Sequence, residues 1–306
     1  MKKIITTVFM LCITLLLTSC KNNTTQNISA DNTKLQVSVT FNALYEFASA
    51  VGQDKVQITT IIPAGTEPHD FEPKAADMKR LSDADVFVYN GFGMEAWADR
   101  AIKASENNNL TVIIASNGAD PIKNEGEEEI SEHGQYDPHL WLSLKGAEIE
   151  VQNIADGFSS ADPENKNFYV INAKNYIDQL EKLYKEYDEK FLTMHNKNFV
   201  TGHAAFNYFC RDFKLKQNSV EDVFAEGEPS TKQLAKLVDY CKENHVTTIF
   251  AEDMASPEIS QTLADEVDAK VETIHTIESA EENSATYIDR MRDNCQKIYD
   301  SLSIQK

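Results

Sequence analysis

The fold is decided by Val56–Trp97, the stretch VQITTIIPAGTEPHDFEPKAADMKRLSDADVFVYNGFGMEAW. It begins with a β-branched run that ends at Pro63, passes through a loop containing His69, and continues as a helix over 75–81 and an apolar strand over 86–89. A strand, a helix and a second strand in this order are typical of a βαβ unit with parallel strands. Because open parallel sheets bind ligands beyond the carboxyl ends of their strands, the position of His69 indicates a binding loop.

The same alternation extends through the first half of the chain and starts again in the second half. Between the halves, Pro163–Met194 carries apolar residues on one helical face, from Ala173 to Phe191. A helix of this length spans about 45 Å. We therefore predict two Rossmann-like α/β lobes with parallel sheets, joined by one long rigid α-helix; a single domain with a long packing helix is the alternative. The predicted divisions are a first lobe over 35–162, the helix over 163–195 and a second lobe over 196–306.

The composition is that of a globular protein with a strongly acidic surface. Among 306 residues, 29 are Lys or Arg and 49 are Asp or Glu, which gives a formal net charge of -20. No long cluster of basic residues is present, so nucleic acid is not an expected partner. An acidic surface suits a protein whose ligand is a cation.

Residues 1–19 have the pattern of a bacterial lipoprotein signal peptide. Two lysines precede an apolar run that reaches Leu17, and the sequence LTSC ends at Cys20. This resembles a lipobox, so cleavage is expected to leave Cys20 as a lipidated N-terminus; an ordinary secretory signal with an incidental cysteine is the alternative. The polar residues 20–34 would then tether an extracytoplasmic protein to the bacterial cell membrane.

Four of the seven histidines occupy equivalent positions, each in a loop after a predicted strand. Two belong to each predicted lobe, so their side chains are expected to converge in the cleft between the lobes. Four imidazoles suit a tetrahedral zinc ion, whereas manganese prefers more oxygen ligands. The spacing matches no short zinc motif, and any one of these residues alone would be an ordinary histidine. The four residues are His69, His139, His203 and His275.

Carboxylates near these positions are expected to form an anionic surrounding for the ion, because a ligating imidazole usually donates its other N–H to such a group. Any one of them alone is more simply a solvated charge. The loop Asn124–Asp137 adds further acidic residues beside the expected cleft, either as a solvated loop or as a collector of cations. The carboxylates are Asp70, Glu72, Asp137, Glu252 and Glu278.

Four stretches of this chain resemble the metal-binding lipoproteins of ABC importers for zinc and manganese, the ZnuA/TroA-like family. They are PAGTEPHDFEPKAADMKRLSDADVFVYNGFGMEAW, DPHLWLS, TGHAAFNYF and EGEPSTKQLAKLVDYCKENHVTTIFAE. The resemblance covers about residues 35 to 303. It implies two Rossmann-like lobes, a rigid connecting helix and one metal ion buried between the lobes. It also implies a monomer that delivers this ion to a membrane permease powered by a cytoplasmic ATPase.

Carried over by position, His69, His139 and His203 match three ligands of the family. The fourth family ligand is usually Asp, and His275 stands at the aligned position. The resemblance therefore implies either a site of four histidines or one that water or a nearby carboxylate completes. Zinc is the expected cargo, with manganese as the alternative ion.

Two other functions remain open from the residues alone. A zinc-dependent hydrolase would use three histidines, a metal-bound water and a general base, for which Glu252 or Asp253 could be nominated. An adhesin or a protein that binds chelated metal would need a cleft large enough for an organic ligand.

Overall fold

The computed structural model describes residues 34–124, 130, 134–223, 230–252, 257–280 and 284–305. The predicted signal peptide, Cys20 and the tether up to residue 33 lie outside these ranges. The same is true of most of the acidic loop.

The first lobe is built on a four-stranded sheet in the order β2-β1-β3-β4, and every pair of neighbours is parallel. The central strands β1 and β3 are rich in valine and almost fully buried, as expected for strands covered on both faces. The strands are β1 (Leu35–Val39), β2 (Val56–Thr60), β3 (Val86–Tyr89) and β4 (Thr111–Ile114); the helices are α1 (Asn42–Gly52), α2 (Ala75–Ser82), α3 (Ala98–Ala104) and α4 (Leu144–Ala161).

The second lobe repeats this plan with a parallel sheet in the order β6-β5-β7-β8. Capping boxes start two of its helices: Ser230 precedes α7 (Thr231–Glu243) and pairs with Gln233 in its first turn, and Thr286 precedes α9 (Tyr287–Ile304) and pairs with Asp289 in its first turn. The strands are β5 (Asn198–Thr201), β6 (Lys216–Ser219), β7 (Thr248–Glu252) and β8 (Lys270–Ile274); the helices are α6 (Asn207–Phe213), α7 (Thr231–Glu243), α8 (Pro257–Val267) and α9 (Tyr287–Ile304).

A long helix, α5 (Lys166–Leu192), links the two lobes and confirms the predicted architecture. Pro163–Asn165 forms a 3₁₀ turn ahead of it, and the helix ends before Met194, so its bounds are slightly narrower than predicted. The buried side chains of α5 join one apolar cluster with residues from both sheets. Through this shared core, both lobes pack against the same long helix, α5.

The three cysteines of the described chain are free and buried, in agreement with their interpretation as small apolar residues. Burial raises the pKa of all three thiols, that of Cys241 to about 12. Of the described helices, none combines the length and the apolar character that a membrane span requires.

The core of the first lobe contains a carboxyl group that its surroundings do not satisfy. Glu150 on α4 is fully buried, and neither of its carboxylate oxygens has a hydrogen-bond partner within the described ranges. Burial, followed by the nearby charge of Glu95, raises the pKa of Glu150 well above its usual value. Folding therefore favours the protonated form of this carboxyl, because its pKa is higher in the folded protein than in the unfolded chain.

We expect Glu150→Gln to stabilise the protein at pH 8 and to have little effect near pH 4.5. A folded-state pKa raised above the unfolded value costs stability as pH rises above the unfolded pKa, by about 1.4 kcal/mol per pH unit for one proton, until the folded-state pKa is reached. The amide keeps the shape and carries no charge at any pH. Urea unfolding at pH 4.5 and pH 8 measures the difference. The exposed Glu189→Gln on α5 is the control for charge alone. Equal effects of Glu150→Gln at both pH values would contradict the expectation.

Candidate metal centre

Four loops at the carboxyl ends of strands bring their side chains together between the sheets. His69 follows β2, His139 follows β4, His203 follows β5 and Glu278 follows β8. Each offers one ligand atom, and these atoms all lie within 4.8 Å of one another. Side-chain exposure is 6% or less for all four groups. The cluster is therefore closed to bulk water.

The distances within the cluster fit a single small ion. The Nε2 atom of His139 lies 3.1 Å from Nε2 of His69 and 3.3 Å from Nε2 of His203. Two nitrogens bound tetrahedrally to one zinc ion at 2.0–2.1 Å are separated by about 3.3 Å. Glu278 Oε1 lies 3.8 Å from His69 Nε2, 3.6 Å from His139 Nε2 and 4.0 Å from His203 Nε2. This carboxylate oxygen is buried without a hydrogen-bond partner in the part of the chain described, so the geometry leaves it available to a cation.

The structure does not bring His275, the fourth predicted ligand, to this cluster. Its ring Nε2 lies 3.2 Å from Asp293 Oδ2 on α9. Its backbone N–H donates to Asn294 Oδ1, and Asn294 Nδ2 donates to the carbonyl of His275. These bonds turn the first residue after β8 toward α9. The residue of this stretch that joins the cluster lies three positions later, at Glu278.

The backbone shows how the chain reaches Glu278. Ile277, immediately before it, has φ 60°, a left-handed conformation that a β-branched residue rarely adopts. Such strain costs about 1–3 kcal/mol and persists where the surroundings hold it. Glu278 was expected from the sequence only as part of the anionic surroundings, since nothing in the pattern IHTIES signals this turn. The sequence offers one signal for Glu278 as a member of the cluster, namely a carboxylate shortly after the end of a strand.

Two carboxylates stand behind the histidines, as the sequence predicts. Asp137 Oδ1 lies 2.9 Å from His139 Nδ1, and α6 of the second lobe holds this carboxylate through the amide of Asn207 at 2.9 Å. Glu252 Oε1 accepts from the backbone N–H of His203 at 3.0 Å and lies 3.5 Å from its Nδ1. A carboxylate behind a ligating imidazole fixes the ring and its tautomer.

Gly202 is what allows Glu252 to approach His203 so closely. A Cβ atom at this position would lie 1.9 Å from Glu252 Oε2, so any side chain would displace the carboxylate. Gly202 in the sequence TGH is therefore required by the close packing of Glu252 beside His203, and not by the geometry of β5.

The remaining predicted carboxylates lie elsewhere, and one more carboxylate joins the site. Asp70 is exposed, and Glu72 pairs with Arg100 at the surface. Glu67, which the sequence analysis did not single out, accepts from the backbone N–H of His69 at 3.3 Å. Burial and the charge of Glu278 raise the pKa of Glu67 to about 7. The residues of the acidic loop that could act as a collector lie outside the described ranges.

The histidines differ in their affinity for protons. Burial lowers the pKa of His69 to about 4. Burial opposes protonation of His203 as well, but its hydrogen bond to Glu252 and the surrounding carboxylate charges raise its pKa to about 9. In His139, the contacts with Asp137 and Glu278 outweigh burial and raise the pKa. Burial would raise the pKa of Glu278, but His139 and His69 hold it well below its usual value. Without an ion, a proton on His203 therefore offsets part of the carboxylate charge in the cluster at neutral pH.

Relatives share nearly the whole chain. A protein of Treponema pallidum (strain Nichols) is 42% identical over 295 residues, which is 94% of this chain and 93% of that one. The high-affinity zinc uptake system protein ZnuA of Bacillus subtilis (strain 168) is 38% identical over 306 residues, covering 95% of each chain.

Solved structures agree with this relationship. The laminin-binding protein Lmb of Streptococcus agalactiae, described as an adhesin with metal transporting activity, superposes with a TM-score of 0.81 at 34% identity, over 88% of this chain and 99% of that one. The Zn(II)-bound ZnuA-like domain of Streptococcus pneumoniae AdcA superposes with a TM-score of 0.75 at 33% identity, over 88% and 99%. Residues 37–301 match the family described as zinc-uptake complex component A, periplasmic. The chain is a member of this family.

Proposed function

We propose that this protein binds one zinc ion as cargo outside the cytoplasm and delivers it to the permease of an ABC importer. The observation that carries the proposal is the convergence of His69, His139, His203 and Glu278 in a buried cluster whose ligand atoms all lie within 4.8 Å of one another. Membership of the zinc-uptake family and the zinc-binding relatives support the same ion.

The donor set favours zinc over manganese. Three imidazole nitrogens and one carboxylate oxygen form a borderline-soft, four-coordinate site, whereas manganese prefers oxygen donors and higher coordination. The single carboxylate also neutralises part of the double positive charge of the ion, whereas four neutral imidazoles would neutralise none of it. Asp137 and Glu252 behind the histidines add further negative charge near the ion.

The hydrolase alternative has no support in this geometry. A catalytic zinc keeps a position open for water beside a placed general base. Here Glu278 occupies the fourth corner, and Glu252, one of the two nominated bases, is directed at His203 instead. Asp253, the other nominated base, lies outside the described residues.

Lipid attachment through Cys20 and action as a monomer complete the proposal. The lipobox resemblance supports the anchor, and the family description supports a location outside the cytoplasmic membrane. Intact mass measurement of the membrane-extracted protein tests the acyl chains on Cys20.

We expect one tightly bound zinc per chain, retained in the presence of equimolar manganese. The test strips the protein with a chelator, offers both ions together, and counts the bound metals by elemental analysis. A His69→Ala/His203→Ala double variant should lose the zinc, because only two donors remain. Preferred retention of manganese, or no retained metal, would contradict the proposed cargo.

We expect Glu278→Gln to weaken zinc binding by about tenfold or more, since a neutral amide replaces the only anionic donor. His275→Ala is the matched control, because this residue lies in the same segment but faces Asp293. Its zinc affinity should stay within about twofold of the unchanged protein. Chelator competition measures both, and the reverse order of effects would restore His275 to the ligand set.

We expect zinc binding to release at least about one proton per ion at pH 7. His203, with a pKa of about 9, is protonated in the ion-free protein at this pH, and zinc requires neutral imidazole. Affinity should therefore rise with pH up to about 9. Calorimetry in buffers of different ionisation enthalpy counts the protons. Glu252→Gln removes the carboxylate that raises this pKa, so it should reduce the release at pH 8. Binding without proton release would refute the assignment of His203.

A further inference from the structure

The ligand segment that carries Glu278 is held by the other lobe. We use this name for residues 275–280 and 284–287, the described residues between β8 and the start of α9. By sequence it follows β8 of the second lobe. By contact, its backbone is bonded to the first lobe on both sides of the ligand.

Bonds near the start of the segment involve the loops that carry His69 and His139. The indole Nε1 of Trp141 donates to the carbonyl of Thr276 at 2.8 Å. Asn42 N–H donates to the carbonyl of Glu278 at 3.2 Å, and Gly65 N–H donates to Ser279 Oγ at 2.8 Å. Thr276 Oγ1 in turn donates to Glu278 Oε2 at 3.0 Å. The ligand carboxylate is thus oriented through one of its oxygens, which leaves the other for the ion.

The end of the segment is fixed by one residue of α1. Glu46 Oε2 accepts from the backbone N–H of Tyr287, the first residue of α9, at 2.5 Å. Glu46 Oε1 accepts from Arg290 Nη1 at 2.8 Å. The side chain of Arg290 is 4% exposed and that of Glu46 is 17% exposed, so water screens this pair only weakly. A carboxylate at the N-terminus of a helix also interacts favourably with the helix dipole.

A second contact joins the same place to the site. Tyr287 OH donates to the carbonyl of Trp141 at 2.5 Å, while Trp141 holds Thr276. Because Tyr287 bonds to Trp141, and Trp141 bonds to Thr276, the position of Tyr287 also constrains the start of the ligand segment. Between these points lies Ile277, whose φ of 60° needs a surrounding that keeps it in place.

From these contacts we infer that Glu46 is a positioning residue for zinc binding that acts through Glu278. The inference rests on the proposed zinc site. Glu46 touches no ligand atom of the cluster. It fixes the entry to α9, and this holds the strained segment in the arrangement that directs Glu278 Oε1 at the three imidazoles.

The test is a double-variant cycle on the purified protein, with zinc affinity measured by chelator competition. We expect Glu46→Ala to weaken zinc binding about tenfold, the loss typical of residues that orient ligands. In a Glu278→Gln background, Glu46→Ala should cause no further loss, because the group it positions is already gone. Equal losses in both backgrounds would overturn the inference, since they would mean that Glu46 acts on the protein as a whole.

Glu186→Ala is the matched control. Glu186 on α5 also pairs with an arginine of α9, Arg292 at 2.7 Å, but within the described residues it makes no bond to the ligand segment. The Glu186→Ala substitution removes the same charge as Glu46→Ala and also removes a contact between α5 and α9. Its zinc affinity should equal that of the unchanged protein, and an effect as large as that of Glu46→Ala would overturn the inference.

Cobalt reports the coordination directly. In the Co²⁺-loaded protein, we expect the visible d–d absorption of Glu46→Ala to shift toward that of Glu278→Gln, whereas Glu186→Ala keeps the original band. An unchanged band with weakened affinity would overturn the inference. If Glu46→Ala does not fold, Glu46→Gln replaces it, because its amide oxygen can still accept from Tyr287 N–H while the charge pairing with Arg290 is lost. It must then show the same non-additivity with Glu278→Gln.

Failure of the zinc site itself would look different. If Glu278→Gln binds zinc as the unchanged protein does, the ligand set is wrong whatever Glu46 does. If Glu278→Gln weakens binding and Glu46→Ala does not, the site stands and the positioning role falls.

Discussion

The burial of the Glu278 carboxylate among three imidazoles constrains the rest of the structure. A charge removed from water needs an opposite charge beside it, and the surrounding carboxylates Asp137, Glu252 and Glu67 make this need greater. In the ion-free protein at neutral pH, a proton on His203 supplies part of the balance, because the pKa of this imidazole is about 9. A divalent cation at the cluster would supply positive charge at the same place, because the four side chains already lie close together. Protons and zinc thus compete for the same electrostatic role.

This constraint explains why so many contacts between the lobes lie next to the site. Asn207 and Tyr208 of α6 bond to Asp137 of the first lobe, and the first lobe bonds to the segment that carries Glu278. Each lobe therefore positions a carboxylate that belongs to the sequence of the other. The long helix α5 supports this exchange, because its buried face packs in a core shared by both sheets.

Much of this architecture could be predicted because it depends on repeating local patterns. Valine-rich strands alternating with helices fix two parallel sheets, and the position after a strand end indicates His69, His139 and His203. The fourth group could not be placed in this way. His275 has the same position after a strand, but bonds to Asn294 and Asp293 turn it away. Those bonds join residues far apart in sequence, and the left-handed Ile277 that presents Glu278 has no sequence signal.

The order of the ligands along the chain also determines when the site can exist during folding. His69 and His139 belong to the first lobe, His203 to the second, and Glu278 lies beyond the last strand. Bringing these loops together requires both sheets and α9, so the ion cannot nucleate either lobe as it does in small zinc domains. The protein must reach its native topology through its apolar core alone. Zinc then binds to a finished scaffold, and a chain that ended between His203 and Glu278 would have the three imidazoles but not the carboxylate.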